Sequence, residues 1–165
     1  MLLIEQATVK DIPIIAQIES ICFPEAEKAS LHSFQARFQA FPEQFLVAKI
    51  YNEDDYEIVG FINGMTTDSL TIFDEMYDNA SLHNPNGAYQ SVFGLDVLPS
   101  YQHQKIAHKL LWAFIDKAKN THKTGVILTC KYHLIGFYEQ FGFKNRGISQ
   151  STHGDVTWYD MLLQL

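Results

Sequence analysis

The stretch LDVLPSYQHQKIAHKLL, residues 95 to 111, decides the fold. It begins as an apolar, strand-like run, Pro99 interrupts the run, and a short polar loop leads into an amphipathic helix. Such a junction aims unpaired main-chain N–H groups and the positive end of the helix dipole at one point. The stretch therefore predicts an anion-binding site at the start of this helix.

Length and composition predict one soluble domain that spans residues 1–165, with 47% hydrophobic and 19% charged residues. No apolar run approaches the roughly 18 to 20 residues that cross a bilayer. The opening residues, MLLIEQATVK, do not resemble a signal peptide. Because Cys22 and Cys130 lack metal-ligand spacing, we expect two free thiols in a reducing, cytoplasmic compartment and no membrane partner.

Charge is distributed unevenly along the chain. Residues 1–99 carry 15 acids and 4 bases, a net −11, whereas residues 100–165 carry 4 acids and 8 bases, a net +4. The overall charge of −7 argues against a nucleic acid partner. An anionic ligand is expected to prefer the second part and a cationic one the first, unless folding scatters the charges over solvated faces.

Apolar periodicity and turn residues predict a mixed α/β chain with the order β-α-α-β-β-β-α-β-α-β-β. Thr8 is the predicted N-cap of a first helix that ends at Cys22. Strand 89–97, helix 105–120 and strand 125–130 form a β-α-β unit, which predicts a parallel strand pair. The other predicted elements are strands 2–7, 45–50, 56–63, 144–149 and 156–163, helices 30–40 and 134–141, and a short helix at 73–77.

Several motifs resemble those of one enzyme family. Residues 102–107 (QHQKIA) are similar to the motif Q/R-x-x-G-x-G/A, and residues 137–143 (FYEQFGF) match F-Y-x-x-x-G-F. Both motifs are typical of the GNAT superfamily of N-acetyltransferases. Residues 23–30 (FPEAEKAS) and 149–161 look most like the non-vertebrate arylalkylamine (serotonin) N-acetyltransferase branch, so that the resemblance covers the whole chain.

The resemblance implies a single GNAT domain with a mixed, mostly antiparallel sheet of about seven strands, splayed at a central parallel pair and flanked by about four helices. It also implies acetyl-CoA as co-substrate and no metal. The loop would hold the diphosphate, and the pantetheine would lie between strands 89–97 and 125–130, with Gly94 at the bulge that opens the gap. The implied coenzyme A contacts are Leu95, Asp96, Val97, Gln102, His103, Gln104, Lys105, Ile106, Ala107, His108, Tyr138 and Gln140.

Lys105 departs from the family motif, which has glycine at this position. A missing Cβ lets the backbone approach a phosphate closely. We expect lysine to be tolerated here if its φ is negative and its side chain points outward. Its charge would then either help to hold phosphate or simply face water.

The implied chemistry is direct attack of an amine on the thioester. Tyr138 matches the family tyrosine that donates a proton to the departing sulfur. Vertebrate members carry two histidines on the strand before the loop, where this chain has Ser91 and Phe93, so Ser91 is left with at most a water-holding role. Other candidates for a base or a lining residue are His153, Glu27, Asp96 and His133.

The acceptor pocket is implied to form from the segment between the first two helices and from the closing hairpin. Its predicted lining residues are Phe23, Pro24, Glu25, Glu27, Phe34, His153 and Trp158. Aromatic walls suit an arylalkylamine and also the methylenes of a polyamine. The acids at positions 68, 74, 75 and 78 could steer a polyamine, or could form an ordinary solvated face.

The predicted function is therefore acetylation of the primary amine of a small molecule, by a monomer or a homodimer. Two alternatives stay open. One is acetylation of protein lysines or N-termini, which the acidic first part would favour. The other is a non-catalytic acyl-CoA-binding sensor module, which Lys105 and the absence of the histidine pair would favour.

Overall fold

A computed structural model describes all residues from Met1 to Leu165. The strands are β1 (Leu2–Gln6), β2 (Phe45–Tyr51), β3 (Tyr56–Asn63), β4 (Thr66–Thr67), β5 (Tyr89–Val92), β6 (Gly94–Val97), β7 (Gly125–Cys130), β8 (Lys144–Ile148) and β9 (Tyr159–Gln164). The helices are α1 (Ile12–Cys22), α2 (Leu31–Ala40), α3 (Glu75–Asp78), α4 (Ile106–Asn120) and α5 (Ile135–Glu139). None of these helices is both long and apolar enough to cross a membrane.

The chain folds into two compact units. The first consists of residues Met1–Gly64 and Gly94–Asp116, and the second of Met65–Phe93 and Lys117–Leu165. The first unit contains an antiparallel sheet with the order β1-β2-β3-β6. The second contains a mixed sheet with the order β4-β5-β7-β9-β8, in which β5 and β7 are parallel. The predicted mixed α/β fold is confirmed, with nine strands in two sheets instead of about seven in one.

The core of the first unit forms where α1 and α2 present apolar faces. Ile15 of α1 and Phe34 of α2 are fully buried, and the Phe34 ring meets the edge of Phe61 on β3 at 5.7 Å. The predicted helix start at Ser30 is confirmed, because the hydroxyl of Ser30 accepts the N–H of Ser33 at 3.1 Å. These contacts hold the segment between α1 and α2 beside the sheet.

The predicted strand 89–97 is two strands. Residues 89–92 form β5 and pair with β7, while residues 94–97 form β6 and pair with β3. Phe93 belongs to neither strand, so the break falls one residue before the predicted bulge at Gly94. Alternating apolar residues cannot show this break, since both halves are strand-like.

The second unit departs from the predicted elements at its ends. The predicted helix 134–141 is shorter, because a 3₁₀ turn at Tyr132–Leu134 precedes α5. The closing strand begins at Tyr159 instead of residue 156, and residues 156–158 connect it to a 3₁₀ turn at His153–Asp155. The short strand β4 has no counterpart among the predicted elements.

Candidate functional site

The predicted site residues are divided between the two units. The first unit holds the strand and loop residues 95–108 and the acceptor residues Phe23, Pro24, Glu27 and Phe34. The second unit holds Ser91, Tyr138, Gln140, His153 and Trp158.

In β6, the main-chain N–H and C=O groups of every second residue point toward β3. The carbonyl oxygen of Asp96 lies 2.7 Å from the position that a Cβ on Gly60 of β3 would take. The N–H of Leu98 also donates to a β3 carbonyl, at 2.9 Å. Because successive residues of a strand direct their main-chain groups to opposite sides, those of Leu95 and Val97 point away from β3. These are the two residues that the resemblance assigns to pantetheine.

The loop after β6 is anchored to the end of that strand. The carbonyl oxygen of Val97 accepts the side-chain amide of Gln102 at 3.3 Å and the thiol of Cys22 at 3.4 Å. Burial, together with the nearby Asp96 and Glu19, raises the pKa of the Cys22 thiol to about 12, so Cys22 remains a protonated donor. The Gln102 side chain thus fixes the loop, and the N–H of Gln102 donates to the Pro99 carbonyl at 3.3 Å. The main chain of residues 103–107 is left as the candidate anion ligand.

Helix α4 begins directly after Lys105. The carbonyl oxygen of Lys105 accepts the N–H of Lys109 at 3.1 Å, which is the first main-chain bond of the helix. The N–H groups of Ile106 and Ala107 precede this bond and have no acceptor within the helix ladder. The Lys105 side chain contains only donors and cannot cap them. Main-chain donors of this kind fit an anion such as a diphosphate.

The backbone of the loop is left-handed at two residues that are not glycine. His103 and Lys105 both have a φ of 64°. The condition of a negative φ for a tolerated lysine is therefore not met at Lys105. The family glycine has a conformational reason, since glycine adopts positive φ without a steric penalty. Both side chains are exposed, together with those of Gln102 and Gln104. Left-handed non-glycine residues concentrate at functional sites.

The other implied coenzyme A contacts differ in how far their side chains are buried. Ile106 and Val97 are buried in the first unit, Leu95, Ala107 and His108 are half-buried, and Gln140 in the second unit is exposed. Asp96 is only 2% exposed and packs beneath β6 against α1. Its side chain is thus placed away from a surface ligand, although its main chain belongs to the strand.

Tyr138 lies on α5 and is only 8% exposed. Its ring meets Phe137 at 5.1 Å and Phe143 at 5.8 Å, both edge-on. The predicted motif 137–143 therefore folds around the tyrosine and fixes its ring by apolar contacts.

Ser91 is fully buried on β5. Its hydroxyl donates to the carbonyl oxygen of Met65 at 2.9 Å and accepts the N–H of Met65 at 2.9 Å. A hydroxyl has one proton, and this one is used within the second unit. The geometry gives Ser91 a structural role in place of the predicted water-holding role.

Four aromatic side chains of the second unit form a cluster, which we call the aromatic cluster: Tyr77, Phe93, His153 and Trp158. The Tyr77 ring stacks on His153 at 5.2 Å and tilts against Phe93 at 5.0 Å. The indole N–H of Trp158 donates to the carbonyl oxygen of His153 at 2.7 Å. The hydroxyl of Tyr77 lies 3.1 Å from that of Thr129 on β7. The cluster brings together the two predicted acceptor residues of the closing segment, His153 and Trp158.

Asp74 holds this closing segment in place. Its carboxylate accepts the hydroxyl of Ser151 and the N–H of Thr152, the latter at 3.2 Å. Although burial alone would raise the pKa of Asp74, these hydrogen bonds and the nearby His153 lower it. Asp68 is also engaged within the unit, since it accepts the N–H of Ala88 at 3.0 Å. Two of the four acids predicted to steer a polycation therefore have internal partners.

The acceptor residues of the first unit are only partly accessible. Phe23 and Glu27 are half-buried and Pro24 is exposed. The carbonyl oxygen of Pro24 accepts the N–H of Glu27 at 2.9 Å and forms a turn. Phe34 is fully buried and packs in the core, so that its ring supports this segment from beneath.

Sequence reasoning missed two residues that the structure brings to these places. Tyr77 organises the aromatic cluster but lies in a part of the chain without clear periodicity. Glu19 is only 7% exposed on α1, beside Asp96. The sequence could have indicated that Glu19 is buried, because position 19 falls on the face of the helix that also carries Ile15 and Cys22.

Comparison with known proteins identifies a family pattern. The sequence pattern of the "Acetyltransferase (GNAT) family" matches residues 12–143. A probable hydrolase, YhcX, of Bacillus subtilis (strain 168) is 28% identical over 128 residues, which are 72% of this chain and 24% of that protein. Serotonin N-acetyltransferase of Mesocricetus auratus is 26% identical over 113 residues, 68% of this chain and 53% of that protein. The chain thus matches about a quarter and about half of the length of these relatives.

Solved structures share the fold over nearly the whole chain. The loading GNATL domain of CurA from Lyngbya majuscula has a TM-score of 0.86 at 16% identity, covering 99% of this chain and 98% of that one. The GNAT-like decarboxylase GphF in complex with isobutyryl-CoA has a TM-score of 0.82 at 18% identity, with 98% of each chain covered. At these identities the likeness shows a shared fold.

Proposed function

Because this chain belongs to the GNAT family of acetyltransferases, we propose that it transfers the acetyl group of acetyl-CoA to the primary amine of a small molecule. The family pattern runs through segments of both units, which supports treating residues 1–165 as one acetyltransferase domain. The acceptor and the chemical step below are part of this proposal.

The observation that carries the proposal is the start of α4. Residues 102–105 form an exposed loop with two left-handed residues, and the loop leads into main-chain N–H groups that precede the first bond of the helix. Such groups hold a diphosphate without a dedicated charged side chain. The main chain of Leu95 and the N–H of Val97, both directed away from β3, support pairing with the pantetheine arm. The Val97 carbonyl already accepts from Gln102 and Cys22.

Acetyl-CoA supplies the activated acetyl group, and the protein supplies position and protons. A main-chain N–H of β6 would donate to the thioester carbonyl oxygen as negative charge develops there. Tyr138 would give its phenolic proton to the departing sulfur, since phenol and thiol pKa values lie within about two units of each other. Ser91 takes no part in this scheme, because Met65 occupies its proton.

We favour an arylalkylamine as acceptor over a polyamine. The aromatic cluster offers flat apolar surfaces next to a fixed closing segment. Asp68 and Asp74 of the acidic stretch accept hydrogen bonds within the unit and keep their charge. Their oxygens are therefore less available to pair directly with an ammonium group than the sequence suggests.

A thiol-release assay with acetyl-CoA tests the proposal. The panel contains tryptamine, spermidine and a lysine-containing peptide, each at low and high salt. The proposal predicts release with tryptamine that is insensitive to salt. A salt-sensitive preference for spermidine would favour a polyamine acceptor, and release only with the peptide would favour protein acetylation. Binding of acetyl-CoA without release in the whole panel would favour a sensor module.

A further inference from the structure

An aspartate of the second unit lies next to the aromatic cluster and has an unpaired oxygen. Asp160 stands directly opposite Thr129 in the antiparallel pairing of β9 with β7. Opposed residues of paired strands project their side chains from the same face of the sheet, with Cβ atoms about 5 Å apart. The hydroxyl of Thr129 lies 3.1 Å from that of Tyr77. Asp160 therefore adjoins the place where the Tyr77 side chain meets the sheet.

Trp158 lies on the same face of β9 as Asp160. The N–H of Ser149 donates to the carbonyl oxygen of Trp158 at 2.7 Å, which extends the pairing of β8 with β9 by one residue beyond Tyr159. Because side chains alternate along a strand, Trp158 and Asp160 project to one side. The carboxyl group of Asp160 thus lies on the face of the sheet that the aromatic cluster covers.

The carboxyl group of Asp160 has no cationic partner. Its Oδ1 is buried and accepts no hydrogen bond. Burial raises the pKa of Asp160, and only the hydrogen bond with the Ser149 side chain acts against this rise. A positive charge close by would also lower this pKa, and no lysine, arginine or histidine does so. The negative charge of Asp160 is therefore uncompensated within the second unit.

The aromatic cluster already attracts one cation of the second unit. The ammonium group of Lys131 lies 5.8 Å from the centroid of the Trp158 ring, within the range of a cation–π contact. Lys131 nevertheless does not lower the pKa of Asp160. The cluster thus combines ring faces that accept positive charge with a carboxylate that lacks it.

This combination fits one chemical class of ligand. Tyr77, Phe93 and His153 are half-buried, so part of their ring surface remains accessible. Asp160 is also half-buried, so part of this residue remains open to a ligand. Aromatic surfaces stack on other rings, and a carboxylate accepts strong hydrogen bonds from an ammonium group. A ligand with an aromatic ring and an ammonium group on a short chain satisfies both.

We propose that Asp160 accepts a hydrogen bond from the ammonium group of the acceptor amine while the ring of the amine packs on the aromatic cluster. This inference rests on the proposed function and assigns the charged contact of the arylalkylamine. The role of Asp160 is in binding, and it takes no part in the making or breaking of bonds. A neutral aromatic compound satisfies only the ring contact, and an aliphatic amine only the charged one.

The test compares tryptamine with tryptophol, in which a hydroxyl group replaces the ammonium group. Calorimetric titration measures the affinity of the full chain for each, with and without saturating coenzyme A, so that no acetyl group is transferred. Asp160→Asn removes the charge and keeps the size of the side chain, whereas Tyr77→Leu removes a ring. Asp155→Asn is the matched control, since it removes an exposed carboxylate of the same unit.

The wild type and Asp155→Asn should bind tryptamine about tenfold more tightly than tryptophol, as expected for a charge-assisted hydrogen bond. Asp160→Asn should bind the two compounds equally, and Tyr77→Leu should weaken both by the same factor. Equal affinity of the wild type for both compounds, binding of neither, or an unchanged preference in Asp160→Asn would overturn the proposal.

Thiol release separates this inference from the proposed function. With acetyl-CoA, Asp160→Asn should raise the KM for tryptamine about tenfold and leave kcat unchanged, because it removes a binding contact only. A preference for tryptamine that depends on Asp160, without thiol release from any amine, would overturn acetyl transfer and support the ammonium site. Thiol release with tryptamine at an unchanged KM in Asp160→Asn would overturn the ammonium site and support acetyl transfer.

Discussion

Lys105 and Lys109 are joined by the first main-chain hydrogen bond of α4, at 3.1 Å, and Lys105 makes this bond with a φ of 64°. The helix therefore begins on a backbone conformation that glycine adopts freely and lysine does not. In the sequence, Lys105 departs from the family motif only by its side chain. In the structure, it is also a strained residue at the proposed diphosphate loop.

Replacing Lys105 by glycine should stabilise the protein by about 1 kcal/mol, because it removes left-handed strain that costs more than the added flexibility of glycine. Urea unfolding measures this difference. Lys105→Ala is the matched control, since it removes the charge and keeps the Cβ and the strain. Acetyl-CoA should bind Lys105→Gly at least as tightly as the wild type. Equal loss of affinity in both variants would show instead that the ammonium group holds phosphate.

Replacing Tyr138 by phenylalanine should lower kcat by about a hundredfold while acetyl-CoA affinity stays unchanged, because only the proton donor is lost. A thiol-release assay measures kcat, and an equilibrium titration measures the affinity for acetyl-CoA. Tyr132→Phe is the control, since Tyr132 precedes the same helix and is 75% exposed. Wild-type turnover in Tyr138→Phe would remove this tyrosine from the mechanism.

Replacing Ser91 by alanine should lower the free energy of unfolding by about 1 to 3 kcal/mol, because the N–H and the carbonyl of Met65 lose their buried partner. Turnover per folded molecule should stay at the wild-type value. Thermal unfolding and an active-site titration measure the two quantities, with the exposed Ser81→Ala as control. If fully folded Ser91→Ala turned over more slowly than the wild type, the result would contradict this prediction and indicate a catalytic role for Ser91.

Replacing Asp74 by alanine should loosen the closing segment, raise the KM for tryptamine several-fold and leave kcat unchanged. The pKa of Asp74 is lowered in the folded protein, so its stabilisation is present above the usual 3.8 and disappears as the pH falls through the lowered value. Unfolding curves of the wild type and Asp74→Ala should converge in acid. Asp78→Ala is the control, because Asp78 is exposed on α3, the helix that directly follows Asp74. A constant difference at all pH values would contradict the assignment.

The raised pKa of Asp96 predicts the opposite pH dependence. Protonation favours the folded state, so this stabilisation is complete below the usual 3.8 and is lost as the pH rises through the higher value of the folded protein. The slope is at most about 1.4 kcal/mol per pH unit for one proton. Asp96→Asn should lack this decline in a series of urea unfolding curves at increasing pH. An identical decline in Asp96→Asn would assign the effect to another group.

The sequence predicts features that depend on local pattern. Strand β7 and most of α4 follow from apolar spacing, and Ser30 is recognisable as an N-cap from its type and position. The division of residues 89–97 at Phe93 does not follow, because the partners of the two halves are distant in the sequence. Pairing across such distances is decided by tertiary packing, which propensity does not include.

The same limit applies to the candidate site. The motif at 102–107 identifies the loop, but the sign of φ at Lys105 is set by how the strand and helix meet. Ser91 looks like a site residue by its alignment with a histidine, and only the placement of Met65 shows that its hydroxyl is used. Glu19 becomes meaningful only when α1 covers β6 and brings it to Asp96.

The most direct measurement is a crystal structure of the protein with bound coenzyme A. The account predicts the diphosphate on the main-chain N–H groups of residues 103–107 and the pantetheine paired with Leu95 and Val97. A diphosphate bound anywhere else, with this loop unchanged and empty, would contradict it.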